Sequence, residues 1–218
     1  MTLTNELKVE NKKRSFVIFA VIHLAALFIL PLLGYLKTDF GVWLMQPLIS
    51  FGYYLILGIL PIICFIRIGM RQSEFVILKI KQKVLKGFGI GFLIGIVVVI
   101  VFMAVNQFQF GIPDKDLLIK IILYATLAAM FEEIIFRGFY LQQADKRMGF
   151  TKANILISLI FAVLHIPSQL LSGGLLWQPL VMLMVISLWL GYLLKKTNSL
   201  WCVIIVHAAY NISASLFS

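Results

Sequence analysis

FEEIIFRGFY, residues 131–140, sets two glutamates and an arginine inside a segment that otherwise reads as a membrane span. One charge in hydrocarbon costs at least ~2.5–3.5 kcal/mol, so three clustered charges call for a partner or a function. On a helix, Glu133 and Arg137 stand four residues apart and can pair. Glu132 is turned ~100° away from Glu133 and has no evident local partner. A structural ion pair accounts for Glu133 and Arg137 and leaves Glu132 unexplained.

Outside this stretch the chain is strongly apolar. Of 218 residues, 61% are hydrophobic and 13% charged. That composition describes a polytopic membrane protein rather than a soluble domain with one large core. The net charge of +10 comes from basic residues in short loops between apolar runs. Such a pattern sets topology and implies no nucleic-acid partner. Cys64 and Cys202 lie within apolar runs without CxxC spacing and read as packing residues.

Seven apolar runs follow a polar, cytoplasmic tail at 1–15: about 16–36, 42–66, 87–106, 117–142, 153–165, 175–194 and 200–217. The first is too long for a signal h-region and lacks a small-residue cleavage site, so it reads as an uncleaved span. His23 within it reads as a hydrogen-bonded structural histidine. In the second run, Trp43 reads as an interfacial anchor, and Pro47 and Pro61 as kink sites. The basic stretch 67–86 surrounds the apolar patch 75–78, which fits either an interfacial helix or a topology-setting loop. Gly87, Gly91 and Gly95 at four-residue spacing predict a close helix-packing seam.

With the N-terminus inside, Lys8, Lys12, Lys13, Arg14, the six cations of 67–86, Lys146, Arg147, Lys152, Lys195 and Lys196 share the inner side. Lys37, Lys115 and Lys120 remain outside. The expected fold is therefore an all-α, polytopic transmembrane helical bundle of about seven spans, N-terminus inside. Residues 16–217 read as a single domain. The fifth run is only ~22 Å of helix, shorter than the ~30 Å hydrocarbon core, and stops at Pro167. The polar stretch 167–174, with Ser168, Gln169, Ser172, Gly173 and Gly174, then predicts irregular backbone lining a cavity.

Depth links the polar residues. Glu132 lies thirteen residues before Asp145, His165 thirteen after Lys152, and His207 eleven after Lys196. At 1.5 Å per residue all three sit ~17–20 Å from the inner boundary. Three ionisable side chains from three spans then share one layer with Asn211, which stands four residues after His207. Such a set suits activation of water by a carboxylate and stabilisation of an oxyanion by imidazole and amide donors. Glu132, His165 and His207 would equally suit an open catalytic Zn²⁺ site. Only Glu133, already taken by Arg137, is at hand to orient such ligands, which favours a metal-free site.

These residues resemble the CPBP (CAAX protease and bacteriocin-processing, or Abi) family of intramembrane proteases. Its EExxxR motif matches Glu132, Glu133 and Arg137; FxxxH matches Phe161 and His165; HxxxN matches His207 and Asn211. The resemblance covers about 117–217. It implies an intramembrane endopeptidase in which Glu132 and His165 activate water, His207 and Asn211 hold the oxyanion, and Glu133 with Arg137 supports the helix. The family is usually labelled metalloprotease. The compact length looks like the bacterial branch, in the plasma membrane, whose members are linked to bacteriocin immunity and peptide maturation. The expected partners are the lipid bilayer and a membrane-anchored peptide or protein substrate; the oligomeric state is not legible. The competing classes are a non-proteolytic immunity protein that binds a bacteriocin, and an ion carrier. The carrier lacks recognisable broken-helix repeats.

Overall fold

The computed structural model describes residues 3–36, 52–69, 79–80, 82–106, 113–171 and 177–217. In chain order the helices are α1 (Leu3–Leu36), α2 (Leu60–Gly69), α3 (Val84–Val105), α4 (Lys115–Glu133), α5 (Leu141–Met148), α6 (Phe150–Leu164), α7 (Ile166–Leu171), α8 (Trp177–Thr197) and α9 (Leu200–Leu216). Two π-helical segments, Tyr54–Ile59 and Ile134–Tyr140, lead into α2 and α5. There is no strand among the described residues. Among the described residues, four stretches are long and apolar enough to cross a membrane: Arg14–Leu33, Val84–Val105, Phe150–Leu170 and Trp177–Thr197. Tyr54–Arg67 and Leu200–Leu216 are shorter apolar helices, and the charge-bearing helix 115–140 completes a set of seven. The fold is all-α and transmembrane, as the sequence leads one to expect. Trp43, Pro47, the patch 75–78 and the Ser172–Gly173–Gly174 run lie outside the described residues.

The chain packs as two compact units, Met1–Phe75 with Leu164–Leu175, and Val76–Val163 with Leu176–Ser218. In the first, two prolines dictate the polar contacts. Pro31 inside α1 has no N–H for the carbonyl of Leu27, four residues back. The Tyr53 hydroxyl donates to that carbonyl at 2.6 Å. On the other helix, His23 Nε2 lies 2.5 Å from the Leu57 carbonyl, four residues before Pro61. Side chains thus reach backbone carbonyls near both prolines, where an unpaired one would be costly in lipid. His23 is a structural histidine. Phe19 stacks on Phe65 beside it, with ring centroids 4.3 Å apart.

His165 is the one non-helical residue between α6 and α7. Its carbonyl accepts from Gln169 N at 3.0 Å and Ser168 Oγ at 2.8 Å. The expected break is there, but the first part of the stretch after it is regular: Ile166–Leu171 is helical, and 172–174 lie outside the described residues. Pro167 occupies the first turn of a new helix, where its missing N–H would have had no partner.

In the second unit α9 packs along α3, α4 and α8. Within α3 only Gly87, Gly91 and Gly95 are buried, while Phe92, Leu93, Val97 and Val105 face outward. A Cβ on Gly91 would stand 2.9 Å from Cys202 O and 3.0 Å from Cys202 Cα. Backbone meets backbone here, so the seam fixes the height and rotation of α9. One end of the unit gathers three basic loops. Trp201 Nε1 donates to Ile80 O at 2.8 Å, and Asn198 Nδ2 to Gln82 Oε1 at 2.7 Å. Lys195 Nζ lies 4.2 Å above the Phe150 ring. Burial pushes the Lys79 ammonium below its usual range, partly offset by the Asp145 carboxylate. Within this unit, the loops that carry Lys79, Lys146 and Lys195 thus meet at one end.

Candidate active site

The site is built where α4 passes into the π-helical segment Ile134–Tyr140. Glu132 and Glu133 close α4, and Arg137 lies in the π turn. Long π segments are rare and recur at functional sites, because the extra residue per turn re-aims side chains. Here Glu133 and Arg137 are 0% and 1% exposed, Glu132 7% and His207, from α9, 3%.

Glu133 Oε1 accepts from Arg137 Nη1 at 2.9 Å and lies 2.7 Å from His207 Nδ1. The same carboxylate oxygen thus serves a guanidinium on its own helix and an imidazole on another. His207 Nε2 turns the other way and faces Glu132 Oε2 at 3.7 Å. That separation exceeds a hydrogen bond and matches two groups sharing a third atom. Buried ionised groups of this kind persist only when paired and hydrogen-bonded. Arg137 meets that condition with a second partner, since Nη2 donates to Ser187 Oγ at 2.7 Å and Ser187 O at 3.1 Å.

Aromatic packing closes one side. The Arg137 guanidinium carbon sits 4.8 Å from the Phe161 ring centroid, over its face. Phe161 also meets His207 edge-on at 6.0 Å and Phe136 at 5.0 Å. The aromatic residue of FxxxH is therefore a wall shared by Arg137 and His207.

The structure thus brings Glu132, Glu133, Arg137 and His207 together. Asn211 follows one turn beyond His207 on α9, half-buried, and its side-chain amide is uncommitted among the described residues. His165 belongs to the first unit, half-buried at the α6–α7 break. Among the described residues, no group of three or more His, Cys, Asp or Glu could hold a metal ion.

Residues 114–213 match a family model described as type II CAAX prenyl endopeptidase, Rce1-like. Over this segment the chain is similar to the CPBP family. The matched CPBP segment runs from the N-cap of α4 to Ser213 and contains all three motifs. The likeness supports an intramembrane protease function in general terms, and the apolar helices support a place in the lipid bilayer. No curated protein shows significant similarity to the chain.

Two parts of the CPBP segment escape the sequence reading. Ser187 sits in an apolar run with no motif around it, and only the fold puts it against Arg137. Asn154 on α6 donates to Leu188 O at 2.9 Å and fills the space left by the missing Cβ of Gly191. A lone Asn and a lone Gly in successive apolar runs are the available signal, because each is costly there without a partner.

Proposed function

We propose that this chain is an intramembrane endopeptidase that hydrolyses a peptide bond of a membrane-anchored protein or peptide, with Glu132 as the general base toward water. The observation that carries this reading is the double engagement of His207. Its Nδ1 is held by Glu133, and its Nε2 is turned toward Glu132 across 3.7 Å. A reacting oxygen between them would touch a base on one side and a donor on the other.

In the proposed reaction, the water oxygen bonds to the scissile carbonyl carbon while its proton passes to Glu132. The carbonyl electron pair moves onto oxygen, where His207 Nε2–H and the Asn211 amide donate to it. Glu132 then returns the proton to the leaving amine as the C–N bond breaks. Donation from Nε2, with a proton also on Nδ1 toward Glu133, makes His207 an imidazolium during this step. Its charge balances the developing oxyanion, while the Glu133 carboxylate is met by the Arg137 guanidinium. The FxxxH motif implies a part for His165 in activating water.

Zinc would draw on Glu132, His165 and His207. Within the second unit, Glu132 and His207 offer two facing donors, and the other imidazole nitrogen is committed to Glu133. The family likeness would add His165 as the third protein ligand of a catalytic zinc, and such an ion would supply an acidified water. The steps above use the chain's own side chains. We assign the protein to a bacterial plasma membrane, on the family branch that its compact sequence resembles.

The test is mass spectrometry of membrane and secreted peptides from cells with wild-type protein, Glu132→Ala, or none. Peptides that disappear in both the Glu132→Ala and the null cells support proteolysis. Identical peptides in all three, with a bacteriocin-resistance phenotype retained by Glu132→Ala, would make this an immunity protein that binds without cleaving.

A further inference from the structure

We infer that Ser187 is a positioning residue for the His207 imidazole, acting through Arg137 and Glu133. Its catalytic meaning rests on the proteolytic reading above, but its geometry does not. Ser187 is fully buried on α8, and in a helix interior its hydroxyl would ordinarily turn back to its own helix. Here it accepts from Arg137 Nη2 at 2.7 Å, and the Ser187 carbonyl accepts from the same nitrogen at 3.1 Å. The guanidinium is planar and rigid, so pinning Nη2 fixes the direction of Nη1. Nη1 holds Glu133 Oε1 at 2.9 Å, and that oxygen lies 2.7 Å from His207 Nδ1. A chain of side chains from α8, the π segment, α4 and α9 thus ends on the nitrogen opposite the one facing Glu132.

The anchor of this chain is itself held. One residue beyond Ser187, the Leu188 carbonyl accepts from Asn154 Nδ2 at 2.9 Å. The rest of that amide occupies the place where a Cβ on Gly191 would stand, so α8 is seated on α6 within a turn of Ser187. The Phe161 ring over the guanidinium opposes tilting out of plane. Without the hydroxyl, Nη2 keeps only the longer bond to the carbonyl, and the Glu133 oxygen that orients His207 loses its fixed support.

The experiment is nitrogen NMR of ¹⁵N-histidine-labelled protein in lipid nanodiscs, where the chain's three histidines give a resolvable set. Ser187→Ala is expected to shift the His207 ring resonances and leave those of His23 in place, with Ser187→Thr restoring them. Ser187→Cys, of similar size and a poorer acceptor, serves if Ser187→Ala does not accumulate. Unmoved His207 resonances in the hydroxyl-free variant overturn the inference. So does an equal shift in Ser187→Thr, which would make bulk rather than the hydroxyl responsible. Turnover of a farnesylated CAAX-type peptide separates the two levels of the argument. Ser187→Ala should lower kcat about 10–100-fold with KM little changed. Wild-type kcat in Ser187→Ala beside an inactive Glu132→Ala sinks the inference alone, whereas a fully active Glu132→Ala sinks the proteolytic reading and the catalytic meaning of Ser187 with it.

Discussion

His207 Nδ1 lies 2.7 Å from Glu133 Oε1, with both residues buried. The contact joins helices 74 residues apart in sequence and changes what Glu133 is for. Four-residue spacing identifies Arg137 as its partner, and Arg137 is one. The same oxygen also selects which face of the imidazole turns to Glu132. Glu133 therefore couples the stability of the π turn to the orientation of the candidate oxyanion donor.

Removing Arg137 leaves that carboxylate without its cation in a dry interior. Arg137→Ala should lower stability by about 3–5 kcal/mol, the usual cost of stranding one member of a buried pair. Glu132→Ala, which removes no ion-pair partner of Arg137 at hydrogen-bond distance, should cost much less. Thermal melts of both variants in one detergent check this, and equal midpoints would remove the case for the pair.

The glycine seam gives a second test. Gly91→Ala drives a methyl into the backbone at Cys202 and should destabilise by about 1–3 kcal/mol. A Cβ at Gly89 meets nothing within 4 Å, so Gly89→Ala should be neutral or slightly stabilising. Melting the two side by side isolates packing from helix propensity; equal behaviour would mean that α3 and α9 are not in contact at this seam.

Much of this architecture is legible in the sequence, and the reasons differ by feature. Apolar runs and basic loops give the spans because lipid permits little else between charges. Residue counts from the loops put Glu132 and His207 at one depth, and their side chains do meet. The π segment at Ile134–Tyr140 leaves no mark, since no motif or spacing in IIFRGFY distinguishes it from an α-helix. Ser187 is invisible for the same reason: one hydroxyl in an apolar helix has no period or spacing to betray its partner. Pro167 misleads in the other direction, because a proline that ends one helix can open the next.

His23 should behave as structure alone. His23→Phe removes the ring's hydrogen bond to the Leu57 carbonyl and should lose about 1–3 kcal/mol. Cleavage per folded molecule should stay near wild type. Activity lost in proportion beyond the folded fraction would assign His23 a role that its contact with a carbonyl does not imply.

Metal dependence separates two chemistries on the same residues. Chelator treatment of purified protein should leave cleavage within about two-fold, because the steps proposed rest on general base and hydrogen-bond donors. Elemental analysis accompanies the assay. Stoichiometric zinc that leaves with activity, and restores it on return, would replace this scheme with a metal-activated water.

The most direct measurement concerns Glu132 itself. Purified wild-type protein and Glu132→Gln, reconstituted in matched nanodiscs, are incubated with a peptide identified by comparing wild-type and Glu132→Ala cells, in ¹⁸O-water. The general-base account predicts one ¹⁸O in the new carboxylate, and turnover about 10²–10⁴-fold lower in Glu132→Gln at unchanged melting temperature. Equal turnover by the two proteins would contradict it.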